Sequence, residues 1–228
     1  MIRKIVPKLV NEINYKEKGV IVSYLNAYNY LKLRKHNSIV SQINIFTLDG
    51  ILLVFLFKIL FNKKIARLSP DYSSYFKELF LQCELSSTRL FFVGGNKEEI
   101  SKFIKSIKRK HPKLKISGFT DGYYENENEL IFKINKLSPE IVFIGLGSPK
   151  QEIFATQLKN NNFTGNIYTC GAFISQTASR GMEYYPTLIN KFNLRWVFRL
   201  TKEKGLIKRY FIEYPYAVFI ILKDYYKK

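Results

Sequence analysis

The chain has 228 residues, 46% of them hydrophobic and 24% charged, which excludes a disordered or fibrous protein and allows one full core with an appendage. Lys and Arg number 37 against 18 Asp and Glu, a formal net charge of +19. That excess implies a polyanionic partner: nucleic acid, an anionic membrane surface or a phosphate-bearing substrate.

In chain order, Gly19 to Ser23 reads as a short strand and Asn26 to Lys35 as a helix. Gln42 to Thr47 is a second strand, closing at Leu48-Asp49-Gly50. Ile51 to Phe61, interrupted only by Lys58, is too apolar for a surface helix and predicts a buried one. Ser69-Pro70-Asp71 is a turn, and Tyr72 to Leu85 continues as a helix. Arg89 to Val93 is a strand that ends in Gly94-Gly95-Asn96. Lys97 to Lys110 follows as an amphipathic basic helix with Ile100, Phe103, Ile104 and Ile107 on one face, stopped by His111-Pro112. Leu114 to Gly118 is a strand, Glu127 to Leu137 a helix, Glu140 to Gly145 a strand, Gln151 to Asn160 a helix, and Ile167 to Cys170 the last strand. His36 and His111 read as surface residues of basic helices.

Strands alternate with helices, and most strands end in loops containing Gly or Asp. The fold class is therefore α/β: a Rossmann-like, mostly parallel sheet with helices on both faces, and ligands expected beyond the carboxyl ends of the strands. Composition changes near Tyr184. Beyond it, basic residues such as Lys191, Arg195, Arg199, Lys204, Arg209 and Lys228 interleave with Trp196, Tyr210, Phe211, Tyr214 and Phe219. We divide the chain into an α/β domain over 1–183 and a helical, membrane-associating appendage over 184–228.

Cys83 and Cys170 lie far apart with no C-x-x-C or Cys/His cluster, so they read as free thiols and not as zinc ligands. Met1 to Lys8 lacks a long apolar stretch of signal-peptide type, and Ile51 to Phe61 is shorter than the roughly 20 residues a bilayer span requires. The expected location is cytoplasmic, peripheral on the inner face of the cell membrane.

The stretch Phe143-Ile144-Gly145-Leu146-Gly147-Ser148-Pro149-Lys150-Gln151-Glu152 carries the strongest chemical signal. A buried strand runs out into a glycine loop, and Pro149 suits the first turn of the next helix. Gly145 and Gly147 let the backbone approach a ligand, and the N–H groups of a helix start favour phosphate. Glu152 has a second reading as a first-turn acid favoured by the helix dipole. Asp49, at a strand end among apolar residues, can act as a general base; the alternative is a cap for the helix that starts at Ile51. Arg67 offers a planar fork for a diphosphate, or is a surface arginine. Gly94 and Gly95 admit a phosphate or base, or only turn a loop. Asp121, Gly122 and Tyr123 can hold a sugar hydroxyl and stack a ring, or form a simple Asp-Gly turn. There is no G-x-x-x-x-G-K-[ST], no full G-x-G-x-x-G and no His-based triad. Asp-x-Asp is also missing, so a metal-independent reaction is expected, with Arg and Lys neutralising a leaving diphosphate.

Taken together, Gly118-Phe119-Thr120-Asp121-Gly122-Tyr123-Tyr124, the Gly145-to-Glu152 stretch, Val93-Gly94-Gly95, Leu194-to-Leu200 and Lys208-Arg209-Tyr210 resemble the WecG/TagA/CpsF glycosyltransferase family. The resemblance runs from about Gly19 to Tyr210. It implies a compact GT-E-type domain, a UDP-sugar donor of N-acetylmannosamine type or another hexose, and a sugar acceptor on a polyprenyl diphosphate, in teichoic acid, capsule or exopolysaccharide synthesis. It further implies Asp49 as catalytic base, and Asn26, Arg67, Gln151 and Glu152 as substrate-binding. Arg199 and Arg209 would close over the acceptor diphosphate. The UDP-sugar would be a substrate, with no cofactor and no metal ligands. The family's Phe-Asp, Thr-Pro and Leu-Glu-Trp become Phe173-Ile174, Tyr24-Leu25 and Leu194-Arg195-Trp196, departures that bear on the donor sugar more than on the reaction. Two other readings stand beside this one. A nucleic-acid-binding module would use the charge, although no nucleic-acid partner is expected; an inactive nucleotide-sugar-binding protein would bind without turnover.

Overall fold

The computed structural model describes residues 1–186, 188–189, 194–202 and 206–227. Lys191, Lys204 and Lys228 of the basic tail lie outside the described residues. Six strands form one all-parallel sheet: β1 (Ile21–Leu25), β2 (Ile45–Leu48), β3 (Arg89–Gly94), β4 (Lys115–Thr120), β5 (Ile141–Gly145) and β6 (Asn166–Thr169). Their order across the sheet is β2-β1-β6-β5-β3-β4. Among the described residues, the α-helices of four residues or more are α1 (Ile2–Ile5), α2 (Ala27–Leu33), α3 (Asn37–Gln42), α4 (Ile51–Phe61), α5 (Tyr75–Leu85), α6 (Lys97–Lys110), α7 (Glu127–Leu137), α8 (Lys150–Asn160), α9 (Phe173–Arg180), α10 (Arg195–Lys202) and α11 (Tyr214–Tyr226). Among the described residues, no helix is long and apolar enough to cross a membrane.

Because side chains alternate along a strand, each central strand feeds two layers. Phe91, Val93, Val142 and Ile144 join α2, α4, α7, α8 and α11 on one face. Leu90, Phe92, Ile141 and Phe143 join α5, α6 and α9 on the other. The second layer is largely aromatic: Phe143 stacks on Phe92 and Tyr168 with ring centroids 5.0 and 5.6 Å apart, and Phe76 meets it edge-on at 5.2 Å. Ile100, Phe103, Ile104 and Ile107 of α6 are all buried there, as their spacing predicts, and Asn96 with Glu99 forms the capping box that starts this helix.

Three expectations are corrected. Helix α4 has the predicted bounds but is not buried on all sides. Leu53, Val54 and Phe57 face the core, while Phe55 and Ile59 are 62% and 61% exposed, because α4 packs on one layer only. His111 is not a surface residue: it is 2% exposed, with Nε2 2.9 Å from the Tyr72 hydroxyl and Nδ1 2.8 Å from Glu84. Pro112 breaks the helix there, and Glu84 on α5 supplies the inward partner. Helix α5 starts at Tyr75 and not Tyr72, because the Asp71 carboxylate accepts from the Ser73 backbone N–H and hydroxyl, a local turn that competes with the helix. Both cysteines are free and buried, and burial pushes the Cys83 thiol up to about 12.

The C-terminal helix α11 packs on the α/β body. Ala217, Ile220 and Ile221 are buried, and the two isoleucines share a core cluster with Tyr30 and Leu33 of α2. Asp224 accepts from the Tyr30 hydroxyl at 2.8 Å and from Arg34 Nε and Nη2, each at 2.8 Å. Arg34 holds the Asp224 carboxyl below the usual carboxylate range. Asp224→Ala leaves the Tyr30 hydroxyl without its acceptor and should destabilise the fold by about 2 kcal/mol in urea titrations. A carboxyl held low in the folded state binds fewer protons there than in the unfolded chain. Its stabilisation is therefore complete above the unfolded value, about 3.9, and fades as pH falls through the lower folded one. The gap between wild type and Asp224→Ala should narrow over that same acidic window.

Candidate functional site

A cavity of about 1210 Å³ opens at the carboxyl ends of β1, β2, β5 and β6, and residues of the C-terminal segment form its far wall. In a parallel sheet every strand delivers its following loop to this edge, so residues distant in sequence meet there. Asn26 comes from the end of β1 and Asp49 from the end of β2. Arg67 is set beside them by an isolated parallel bridge to Leu48. Gly147 and Ser148 enter from the β5–α8 loop, and Gly171 and Ala172 from the turn after β6. Arg195, Arg199 and Arg209 reach in from the C-terminal segment.

Asp49 does not cap α4, whose N-cap is Gly50. Its Oδ1 accepts from the Ser69 hydroxyl at 2.7 Å, and the residue is half-buried on the cavity wall. Asn26 spends its side-chain oxygen on capping α2, taking the Asn29 N–H at 2.9 Å. Its amide –NH₂ is the group left for a ligand. Gly171 has φ +53°, and an added Cβ would overlap the Tyr24 hydroxyl, so only glycine fits this close approach.

The cavity is rich in cations. Burial pushes the Arg67 guanidinium down from its ordinary value, Arg195 adds to that shift, and Asp49 and Asp71 oppose it. Arg209 lies 4.2 Å from the centroid of the Tyr28 ring, and its buried Nε has no hydrogen-bond partner. Asp71 is buried beneath this group and bound to Arg195 Nη1 at 2.8 Å; burial raises its carboxyl, and Arg195 and Ser73 pull it back. Arg195 also lies 4.6 Å from the Tyr185 ring centroid. Cations held together out of water are relieved by an anion between them, and a diphosphate supplies one in the right form.

The structure thus brings Asn26, Asp49, Arg67, Gly147, Ser148, Arg199 and Arg209 around one cavity. Other expected site residues fall beside or beneath it. Gly94 and Gly145 touch across neighbouring strand ends, where a Cβ on Gly94 would come 2.6 Å from the Gly145 carbonyl oxygen. Gly122 N–H donates to Gly95 at 2.7 Å, while Asp121 accepts from the Tyr123 N–H in an Asp-Gly turn that leaves Tyr123 80% exposed. Gln151 and Glu152 are fully buried and absent from the cavity wall. Glu152 Oε1 accepts from Ser23 and from Gln151 Nε2, Gln151 Oε1 accepts from the Gly171 N–H, and Thr169 donates to Ser23. Burial pushes the Glu152 carboxyl up. This network fixes the loops that form the cavity floor. Ile174, where the resembled family carries an acid, is fully buried, and Cβ atoms added at Gly95 or Gly145 would sit 3.2 Å from it.

Sequence reasoning missed Asp71 as a site residue, along with the aromatic wall of Tyr28, Tyr185, Tyr210 and Tyr214. Asp71 carried one usable signal, an acid two residues after a Ser that itself follows Arg67-Leu68. Tyr28 follows the Asn26 cap in α2 with no signal of its own, and Tyr210 and Tyr214 read only as tail aromatics, because their approach to the cavity depends on how the tail folds back.

The profile of the glycosyl transferase WecG/TagA/CpsF family matches residues 2–228. The chain is 37% identical over 212 residues to the UDP-Gal:alpha-D-GlcNAc-diphosphoundecaprenol beta-1,4-galactosyltransferase of Shigella boydii, covering 92% of this chain and 88% of that protein. It is 27% identical over 231 residues to the N-acetylglucosaminyldiphosphoundecaprenol N-acetyl-beta-D-mannosaminyltransferase of Bacillus subtilis strain 168, covering 96% and 89%. The Bacillus spizizenii protein of the same name is 25% identical over 211 residues, covering 91% and 80%.

Arg195→Ala removes one half of a buried ion pair and leaves Asp71 uncompensated under the cavity. It should cost about 3–5 kcal/mol in urea denaturation, with Arg195→Lys intermediate because the bond to Asp71 survives but the fork does not. Equal stability of Arg195→Ala and wild type would show that the pair does not hold the tail.

Proposed function

The chain belongs to the WecG/TagA/CpsF family of glycosyltransferases, and from that premise we propose that it moves a hexose from a UDP-sugar to N-acetylglucosamine on a polyprenyl diphosphate. The observation that carries this reading is Asp49. It is a strand-end carboxylate with one oxygen held by Ser69, and it opens onto the cavity that Arg67, Arg199 and Arg209 also line. An acceptor hydroxyl placed at Asp49 loses its proton to the free carboxylate oxygen as its own oxygen attacks the anomeric carbon. The bond from that carbon to the diphosphate oxygen breaks, UDP leaves with the electron pair, and a single displacement inverts the configuration. The guanidiniums, with the backbone N–H groups near Gly147, neutralise the leaving diphosphate. A metal ion is not needed for that task in this reading. The higher identity to the galactosyl relative makes UDP-galactose the first donor to test. The location that fits such an acceptor is the inner face of the cell membrane, with the basic tail against anionic lipid.

The test is UDP release from a panel of UDP-sugars, with and without a polyprenyl-diphosphate N-acetylglucosamine acceptor. One donor should give acceptor-dependent release, and Asp49→Asn should lower kcat by about 10²–10⁴-fold while UDP binding persists. Turnover that survives in Asp49→Asn would remove the base from the mechanism. Added EDTA should leave the wild-type rate unchanged, and a rate restored only by a divalent cation would overturn the metal-independent step. Tight binding without release would favour an inactive binding protein, and salt-sensitive binding to random oligonucleotides with no UDP binding would favour the nucleic-acid reading.

A further inference from the structure

Helix α4 belongs to the α/β body, yet it carries an outward stripe of the kind expected only of the tail. Leu52, Phe55 and Ile59 are 42%, 62% and 61% exposed, and their spacing of three and four residues sets them on one face. No acidic residue occurs between Ile51 and Lys64, while Lys58, Lys63 and Lys64 are all exposed. The stripe begins three residues after Asp49, and Leu52 and Phe55 form part of the cavity wall. Helix α11 lies alongside: Phe61 meets Tyr225 edge-on with ring centroids 5.2 Å apart. Tyr216 and Phe219 of α11 are themselves exposed.

We propose that the α4 stripe is a membrane-docking face, which enters the headgroup boundary of an anionic bilayer and sets the cavity mouth against the lipid surface. The lysines decide the occupant. An apolar face ringed by cations, on a chain of net charge +19, fits anionic lipid, whereas a second copy would bring the same charges into opposition. The proposal rests on the reading that the acceptor is lipid-linked, since only then does the position of the stripe beside Asp49 have a use. It divides membrane contact between two parts of the chain, so the tail is not the sole anchor.

The test uses the full-length chain with Ile59→Asp, a position outside the cavity wall. Its partition onto phosphatidylcholine vesicles containing about one third phosphatidylglycerol should fall by about tenfold or more, with the melting temperature unchanged. Ile59→Trp in a Trp196→Phe background provides a direct reporter: its emission should shift to the blue on adding vesicles and be quenched by brominated lipid. Unchanged partition of Ile59→Asp, or emission that vesicles do not shift, overturns the proposal. So does a vesicle-independent dimer that Ile59→Asp dissolves, which would assign the stripe to self-association. Sugar transfer is measured in the same samples on a short-chain acceptor in detergent. Wild-type binding to vesicles without any transfer would sink the transferase reading and leave the docking face standing; transfer with no loss of vesicle binding in Ile59→Asp would do the reverse.

Discussion

Two carboxylates hold the C-terminal segment against the sheet, and the cavity depends on both. Asp71 takes Arg195 at the near end of that segment, and Asp224 takes Arg34 and Tyr30 at the far end. Between them, Arg199, Arg209, Tyr210 and Tyr214 are placed over the ends of β1 and β2. Each anchor joins residues more than 120 positions apart in sequence and so closes a long loop; the Arg195–Asp71 pair is buried, whereas Arg34 is partly exposed and its pair with Asp224 works beside the buried Ile220 and Ile221. Without them the strand ends would still form, but Asp49 would lie on an open edge and not in a cavity.

The closure has an electrostatic consequence. It brings Arg67, Arg195 and Arg209 into a half-buried space in which Asp71 is already committed to one of them. The shifts of Arg67 and Asp71 register this, the guanidinium pushed down by burial and its neighbour, and the carboxyl pushed up by burial against the pull of Arg195. A site so loaded favours an anionic occupant.

Below the cavity, the polar chain Thr169–Ser23–Glu152–Gln151–Gly171 ties β1, β6 and α8 together within a layer otherwise filled with aliphatic and aromatic groups. This gives Gln151 and Glu152 a job that does not require ligand contact: they hold the Gly171 backbone where Tyr24 leaves room for nothing larger. The same division of labour appears at the glycines. Gly94 and Gly145 are needed where strand ends touch, and Gly147 is on the cavity wall.

Much of the fold was legible in the sequence because it rests on local periodicity. The amphipathic spacing of Ile100, Phe103, Ile104 and Ile107, the turn after Gly94-Gly95 and the apolar runs at β3 and β5 each follow from which side chains a helix or a parallel strand must bury. Asp49 and Arg67 each kept two readings from the residues alone, base or cap and diphosphate ligand or surface arginine, and it was the resemblance that singled them out; the structure adds that both stand on one cavity wall with Gly147 and Ser148. What the sequence could not decide is which surface each element meets. A helix that is apolar but for Lys58 reads the same whether one face or most faces are covered, so only packing showed that Phe55 and Ile59 of α4 stand exposed. His111 looks like a basic-surface residue until Glu84 and Tyr72 arrive from α5 and the turn before it. The tertiary structure alone settled the pairing of Asp71 with Arg195 and of Asp224 with Arg34, because a contact across more than a hundred residues leaves no period in the chain. The sequence by itself determined most of the elements and which residue types stand at their ends, because these follow from local periodicity; the folding back of the tail decided which of those ends share a cavity.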